Sequence, residues 1–341
     1  MSTFLYRFLM AAVVLSSSMI VARAQMSPHM SSGYIPHRVY KSGDKRFSDF
    51  EAMLAELARA DVVFVGEQHN DPATHRIERA ILEGLGRRRG NVVVAMEMFE
   101  RDTQRPLDDY LAGRLDEEDF LKATRPWPNY MTDYRPLIEF ARVHGWKVIA
   151  SNTPRRIASQ VSKEGLDAAR PDSESERKLV ASEFSCPMDD YFKRFTEAMG
   201  NGHPTAHQQQ GDDEQVDKKE QADKKKEEAE QRATLERFYY AQCVKDETMA
   251  ESIANALNSK PEVQDGGQDA AQTHSLVVHF NGAFHSDYRL GAASRVVRRS
   301  PKSNVKVISV IPVENLDAIN ADEYRKRGDY VIFTLKPPMA Q

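Results

Sequence analysis

Cysteine is scarce: the 341-residue chain has two, Cys186 and Cys243. They make no CxxC, no CxxCH and no zinc-finger spacing, which excludes covalent haem attachment and a Cys-ligated zinc module. In an oxidising compartment the two could pair and pin the base of the polar segment between them; alternatively they are two separate buried thiols. A large excess of one charge is also missing. The formal net charge is -4 and basic and acidic residues are interspersed, so there is no general attraction for nucleic acid or an anionic membrane. No repeat of solenoid length is present.

The first 24 residues read as a targeting segment rather than fold. Arg7 supplies a positive start, residues 8–22 are mainly apolar, and Ala22-Arg23-Ala24 is a small-x-small cleavage signal before Gln25. The apolar run is shorter than the ~20 residues of a spanning helix, so residues 1–24 are expected to be a signal peptide. No cysteine lies near the cleavage site. The mature chain is therefore expected in the periplasm or outside the cell, without an N-terminal lipid anchor and without a transmembrane segment.

Beyond an N-terminal extension (25–45), whose first part (25–33) is Met/Ser-rich and expected to be weakly held, helical and strand patterns alternate. An amphipathic helix is expected over 47–60, started by a Ser48/Glu51 capping box, and a second over 72–88, with Asp71 as N-cap and Pro72 in the first turn. Residues 116–124, 133–144 and 235–257 also read as helices. Short apolar, β-branched runs at 61–65, 91–96, 147–150, 275–280, 305–313 and 330–335 read as strands buried on both faces. Residues 200–232 hold a Gln triplet and Lys/Glu/Asp repeats with almost no apolar side chain, a disordered or isolated helical insertion. Residues 260–274 read as a loop. The expected fold is a single α/β domain over 46–341, with a mostly parallel β-sheet, helices on both faces and a charged insertion.

In such a sheet, ligands bind where loops leave the carboxyl ends of strands. Those ends carry Gly66-Glu67-Gln68-His69, Glu97, Asn152 with Arg155, and Gly282-Ala283-Phe284-His285. Each glycine lets the chain turn sharply off its strand and present a histidine at the sheet's mouth. His69, Glu97 and His285 make a plausible N/O set for a divalent metal ion, with Glu67 to orient or deprotonate a water; Glu67, His69, Glu97 and His285 could equally work as acid and base on a substrate. Glu97 alternates away from Met96 and Met98, so it needs a polar partner. His75 either lines this pocket or lies on a helix surface, and His279 reads as a satisfied core residue. Tyr130, Tyr134 and Tyr240 are phenols beside aromatic clusters; tyrosinate can ligate ferric haem, although a core role is the more common one.

Several stretches resemble the ChaN-like haem-binding family, which groups with the Tiki and erythromycin-esterase-like proteins. They are Val63-Phe64-Val65-Gly66-Glu67-Gln68-His69-Asn70, Met96-Glu97-Met98-Phe99-Glu100, Tyr134-Arg135-Pro136-Leu137-Ile138-Glu139-Phe140-Ala141, Ala241-Gln242 with Lys245-Asp246-Glu247-Thr248-Met249-Ala250, and Asn281-Gly282 with His285. The resemblance spans about residues 46–313. It implies haem as cofactor, bound at a homodimer interface through a tyrosine (Tyr130, Tyr134 or Tyr240), and partners in envelope iron uptake. Asn152 and Arg155 join this candidate cofactor-binding set. The Tiki relatives are metal-dependent peptidases with paired Gly-x-x-His motifs and a glutamate, which correspond here to His69, His285 and Glu97. A metal-dependent hydrolase is thus the alternative function. The chain departs from the family pattern in lacking a lipidation cysteine and in its charged insertion.

Overall fold

In a computed structural model, the described residues are 34–200, 218–259 (side chains from 223) and 275–337. The expected signal peptide, the 25–33 stretch, the loop 260–274 and the first part of the insertion, to residue 217, lie outside them. The fold below is that of the unit Ile35–Gln341.

Six apolar runs form the parallel part of one eight-stranded sheet: β3 (Val62–Glu67), β4 (Val92–Glu100), β5 (Lys147–Asn152), β6 (Leu276–Gly282), β7 (Val305–Val313) and β8 (Tyr330–Leu335). Two strands not read from the sequence complete it, β1 (His37–Lys41) and β2 (Arg46–Ser48). The order is β2-β1-β8-β7-β3-β6-β4-β5, and β1 pairs antiparallel with both β2 and β8. Part of the expected N-terminal extension is therefore sheet. The Ser48/Glu51 capping box is corrected for the same reason: Phe47 and Ser48 pair with β1, and Asp49 caps the first helix by accepting from Ala52 N at 3.0 Å.

Ten α-helices surround the sheet in the described residues: α1 (Phe50–Leu57), α2 (Pro72–Gly86), α3 (Gln104–Leu111), α4 (Glu117–Thr124), α5 (Arg135–Val143), α6 (Arg155–Glu164), α7 (Glu174–Arg177), α8 (Asp190–Gly200), α9 (Lys218–Asn258) and α10 (Gly291–Arg299). Asp71 caps α2 as expected, accepting from Ala73 N and Thr74 N. The helix expected to begin at residue 235 instead starts within the charged insertion, and α9 runs unbroken from Lys218. None of the described helices is long and apolar enough to cross a membrane.

Strand alternation divides the core in two. Val63, Val65, Val94, Met96, Val278 and Phe280 face α1, α2 and α5. Val62, Phe64, Val93, Ala95 and Val277 face Met249, Ile253 and Val296 of α9 and α10. With both faces covered, the polar residues at the strand ends are held by neighbours rather than by water, which requires that they be paired. Cys186 and Cys243 form a disulfide that ties the segment before α8 to α9.

Candidate functional site

The carboxyl ends of the adjacent strands β3, β6 and β4 bring the two Gly-x-x-His turns together. Glu67, the last residue of β3, is 2% exposed. Its Oε1 accepts from the Tyr134 hydroxyl at 2.7 Å and lies 2.6 Å from His69 Nδ1. The His69 ring, with its side chain 44% exposed, packs edge-on to Trp127 at 4.9 Å between centroids. Its other edge lies against Gly282, where a Cβ would come within 2.7 Å of Cε1 and Nε2. That close approach, and not a special φ, is why glycine stands there.

The second turn delivers His285 into a buried ion-pair chain. Glu97 Oε2 accepts from Gly282 N at 2.7 Å, and Oε1 lies 3.2 Å from His285 Nε2. His285 Nδ1 is 2.7 Å from Asp246 Oδ1, and Asp246 Oδ2 accepts from the Tyr191 hydroxyl at 2.7 Å. Burial opposes charge on His285, but Glu97 and Asp246 outweigh it and raise its pKa to about 10. Burial likewise opposes ionisation of Glu97, yet His285, His69 and the Gly282 amide bring its pKa down to about 2. The His69 pKa is also raised, against burial, by its hydrogen bond to Glu67 and the charge of Glu97.

The expected partner of Glu97 is therefore found, and it is His285. His69, Glu97 and His285 lie near enough for both histidines to lower the Glu97 pKa, but ligand atoms of the three do not gather within 4.8 Å of one another among the described residues, and their roles are unequal. His285 has a carboxylate on each ring nitrogen, so it is an imidazolium that fixes Glu97. His69 keeps Nε2 clear of any hydrogen bond among the described residues while Glu67 holds Nδ1. This is the arrangement of a metal-ligating imidazole, in which the distal ring nitrogen is oriented by a carboxylate.

Sequence reasoning misses Asp246, Tyr191 and Gln242, whose Nε2 lies 3.2 Å from His285 Nδ1. The 245–250 stretch carries part of the family resemblance, but nothing local ties Asp246 to a histidine 39 residues away. His75 is buried and does not lie on a helix surface: Nδ1 is 2.9 Å from Glu78 Oε2, and Nε2 is 3.1 Å from the His69 carbonyl oxygen. Burial, and then the charge of Glu67, push Glu78 well above the usual carboxylate range. His279 is a satisfied core residue as expected, between Ser151 Oγ (3.1 Å) and Asn281 Oδ1 (3.0 Å), and burial lowers its pKa to about 4.

Residues 53–296 match the family described as "Haem-binding uptake, Tiki superfamily, ChaN". The chain belongs to this family. Its fold is similar to that of ChaN of Campylobacter jejuni, a structure described as showing cofacial heme binding: the TM-score is 0.57 at 16% identity, over 87% of this chain and 96% of that one. A mutant of the erythromycin esterase EreC in its open conformation aligns with a TM-score of 0.42 at 10% identity, over 90% of this chain and 85% of that one. Protein RETICULATA-RELATED 5, chloroplastic, of Arabidopsis thaliana is 27% identical over 275 residues, which is 77% of this chain; the chain spans about a third (33%) of that relative's length.

Of the three tyrosines expected as candidate haem ligands, two are buried. Tyr134 is fully buried with its hydroxyl committed to Glu67, and burial followed by that carboxylate raises its pKa. Tyr130 is 2% exposed, packed on Phe99 and Phe120, and burial raises its pKa as well. Tyr240 is half-buried, between two apolar clusters. Asn152 is a strut, donating to the Glu97 carbonyl oxygen at 3.1 Å and accepting from Thr153 N. Arg155 lines a cavity of about 520 Å³ with Arg125, Arg156, Glu100, Asp102 and Ser159. Of the expected cofactor-binding set, only Arg155 and Tyr240 retain accessible surface of note.

Proposed function

We propose that this protein is an exported haem-binding protein whose iron ligand is His69. The observation that carries the reading is the His69 imidazole: half-exposed, clamped through Nδ1 by Glu67, with Nε2 available and the Trp127 ring alongside. Family membership supplies the ligand class. Haem iron accepts an imidazole in its axial position. Here Glu67 fixes the tautomer and orientation of that imidazole, while His285, Glu97 and Asp246 hold the floor of the pocket rigid. The haem carboxylates call for cationic side chains, and the exposed Arg155 is the candidate. A role in haem or iron uptake at the envelope, with a second copy of the chain and envelope components as partners, extends the same reading, and the Cys186–Cys243 disulfide suits an oxidising compartment.

The test is a ferric haem titration of the chain beginning at Gln25, followed at the Soret band. Saturable binding is expected, weakened at least tenfold in His69→Ala and unchanged in Tyr240→Phe. Absence of a Soret shift in the unsubstituted chain would refute haem binding. Loss in Tyr240→Phe with retention in His69→Ala would move the ligand to the tyrosine. Fractionation of producing cells, with mass measurement of the mature chain, tests export and cleavage before Gln25, and sedimentation with and without haem tests the dimer.

A second reading, a hydrolase, is favoured by the Glu67–His69 pair, whose carboxylate-held imidazole is a general base. A metal would be taken by His69 and Glu97, with His285 joining only after release from its carboxylates. Hydrolysis of ester or peptide substrates that is lost in both His69→Ala and Glu97→Gln is the expected result for this reading.

A further inference from the structure

Beneath His69 lies a second group of side chains, of which only Glu67 enters either reading. Glu67, His75 and Glu78 are all buried, and one ligand atom of each lies within 4.8 Å of the other two. The two oxygens of Glu67 face different ways. Oε1 serves Tyr134 and His69, whereas Oε2 is buried, accepts no hydrogen bond, and lies 3.6 Å from His75 Nδ1. Glu78 repeats the pattern: Oε2 is 2.9 Å from His75 Nδ1, and Oε1 is buried without a donor.

His75 is oriented from behind, its Nε2 lying 3.1 Å from the His69 carbonyl oxygen and 3.4 Å from Asp133 Oδ2. Nδ1 thus faces two carboxylates while Nε2 is fixed by a carbonyl and a third. Separations of 2.9 and 3.6 Å between the nitrogen and the two oxygens are of the size that ligands about 2.0–2.2 Å from one ion have with each other. Two buried carboxylates with donor-free oxygens around one imidazole require a cation among them, either a proton or a metal ion.

We propose that Glu67, His75 and Glu78 bind one divalent transition-metal ion of the class that takes mixed imidazole and carboxylate ligands, such as zinc, manganese or iron(II). Through Glu67 the centre ties the end of β3 to the first two turns of α2 and sets the carboxylate that holds His69. It does not depend on haem binding.

The test uses the metal alone. The full mature chain is stripped with a chelator and titrated with Co2+, with bound metal counted by elemental analysis, the visible ligand-field bands recorded, and the melting temperature followed. One Co2+ per chain is expected, with a rise in Tm of about 5 °C at a hundredfold excess over Kd. Both effects are expected to vanish in Glu78→Gln and in His75→Gln and to persist in His285→Gln and His69→Ala, which separates this centre from the pocket above it. Glu78→Gln keeps the side chain's shape and can donate to Glu67, so it is expected to fold without metal. Failure of the unsubstituted chain to bind Co2+ stoichiometrically overturns the proposal. So does retention of Co2+ in Glu78→Gln, which would leave a shared proton as the cation, and so does its loss in His285→Gln, which would place the ion elsewhere. Should Glu78→Gln not fold, chelator-reversible Co2+ bands and Tm shifts in the unsubstituted chain and in His285→Gln decide the matter alone.

Discussion

The imidazole of His69 lies across the α-carbon of Gly282, so close that a methyl group there would meet Cε1 and Nε2 at 2.7 Å. One Gly-x-x-His turn therefore exists in the shape it has because the other supplies a surface with no side chain. Gly282→Ala is expected to push His69 off Glu67 and to cost about 1–3 kcal/mol, the usual range for overpacking a closed site. Urea unfolding measures the loss, and haem titration of the same variant is expected to show weakened binding. An alanine chain with both unchanged would mean that His69 has another place to go.

The buried neutral imidazole of His279 sets an acid limit. Its folded pKa, about 4, is below its ordinary value of 6.5. The unfolded chain then binds more protons than the folded one between those values, so stability is present above pH 6.5 and falls as pH drops towards 4. Tm recorded against pH is expected to decline through this window and to do so less steeply in His279→Gln. An identical slope in the variant would assign the acid loss to other groups.

Glu247 is fully buried on α9 beneath three arginines of α10: Arg295 at 3.1 Å, Arg298 at 2.6 Å and Arg299 at 2.5 Å. Removing one side of a buried ionic network leaves the other unpaired. Glu247→Ala is expected to destabilise by about 3–5 kcal/mol in chemical denaturation, more than loss of the partly exposed Arg298 alone.

Reduction of the Cys186–Cys243 disulfide frees a span of 57 residues. Loop-closure entropy for that length amounts to about 4 kcal/mol. A Cys186→Ser/Cys243→Ser chain is expected to melt lower than the oxidised protein and to be insensitive to reductant. Equal melting of the two forms would show that α8 and α9 are held by packing.

Much of the fold and of the site is legible in the amino-acid sequence. The apolar runs of β7 and β8 coincide with the observed strands because a strand buried on both faces is written as a continuous stretch of β-branched and aromatic residues. Asp71 before Pro72 announces the start of α2, since a cap and a fixed φ are local properties. Position at or just beyond an apolar run is enough to pick out Glu67, His69, Glu97 and His285, although β4 runs past the expected end at residue 96 to Glu100 and so includes Glu97. By contrast β1 and β2 are not readable: each is short, with polar and charged residues among the apolar ones, and becomes strand only because β8 offers an edge.

The order of the elements, and the identity of the polar residues at the sheet's mouth, thus follow from the chain alone, because burial pattern and turn chemistry act over a few residues. Which of those residues meet is settled by tertiary packing. Asp246 reaches His285 because α9 packs across the sheet end; Tyr134 turns inward to Glu67 because α5 begins beneath it; His75 and Glu78, one turn apart on α2, meet Glu67 only when α2 lies back on β3. Contacts of this kind are fixed by how helices lie on the sheet, and that depends on the whole core rather than on any local run of residues.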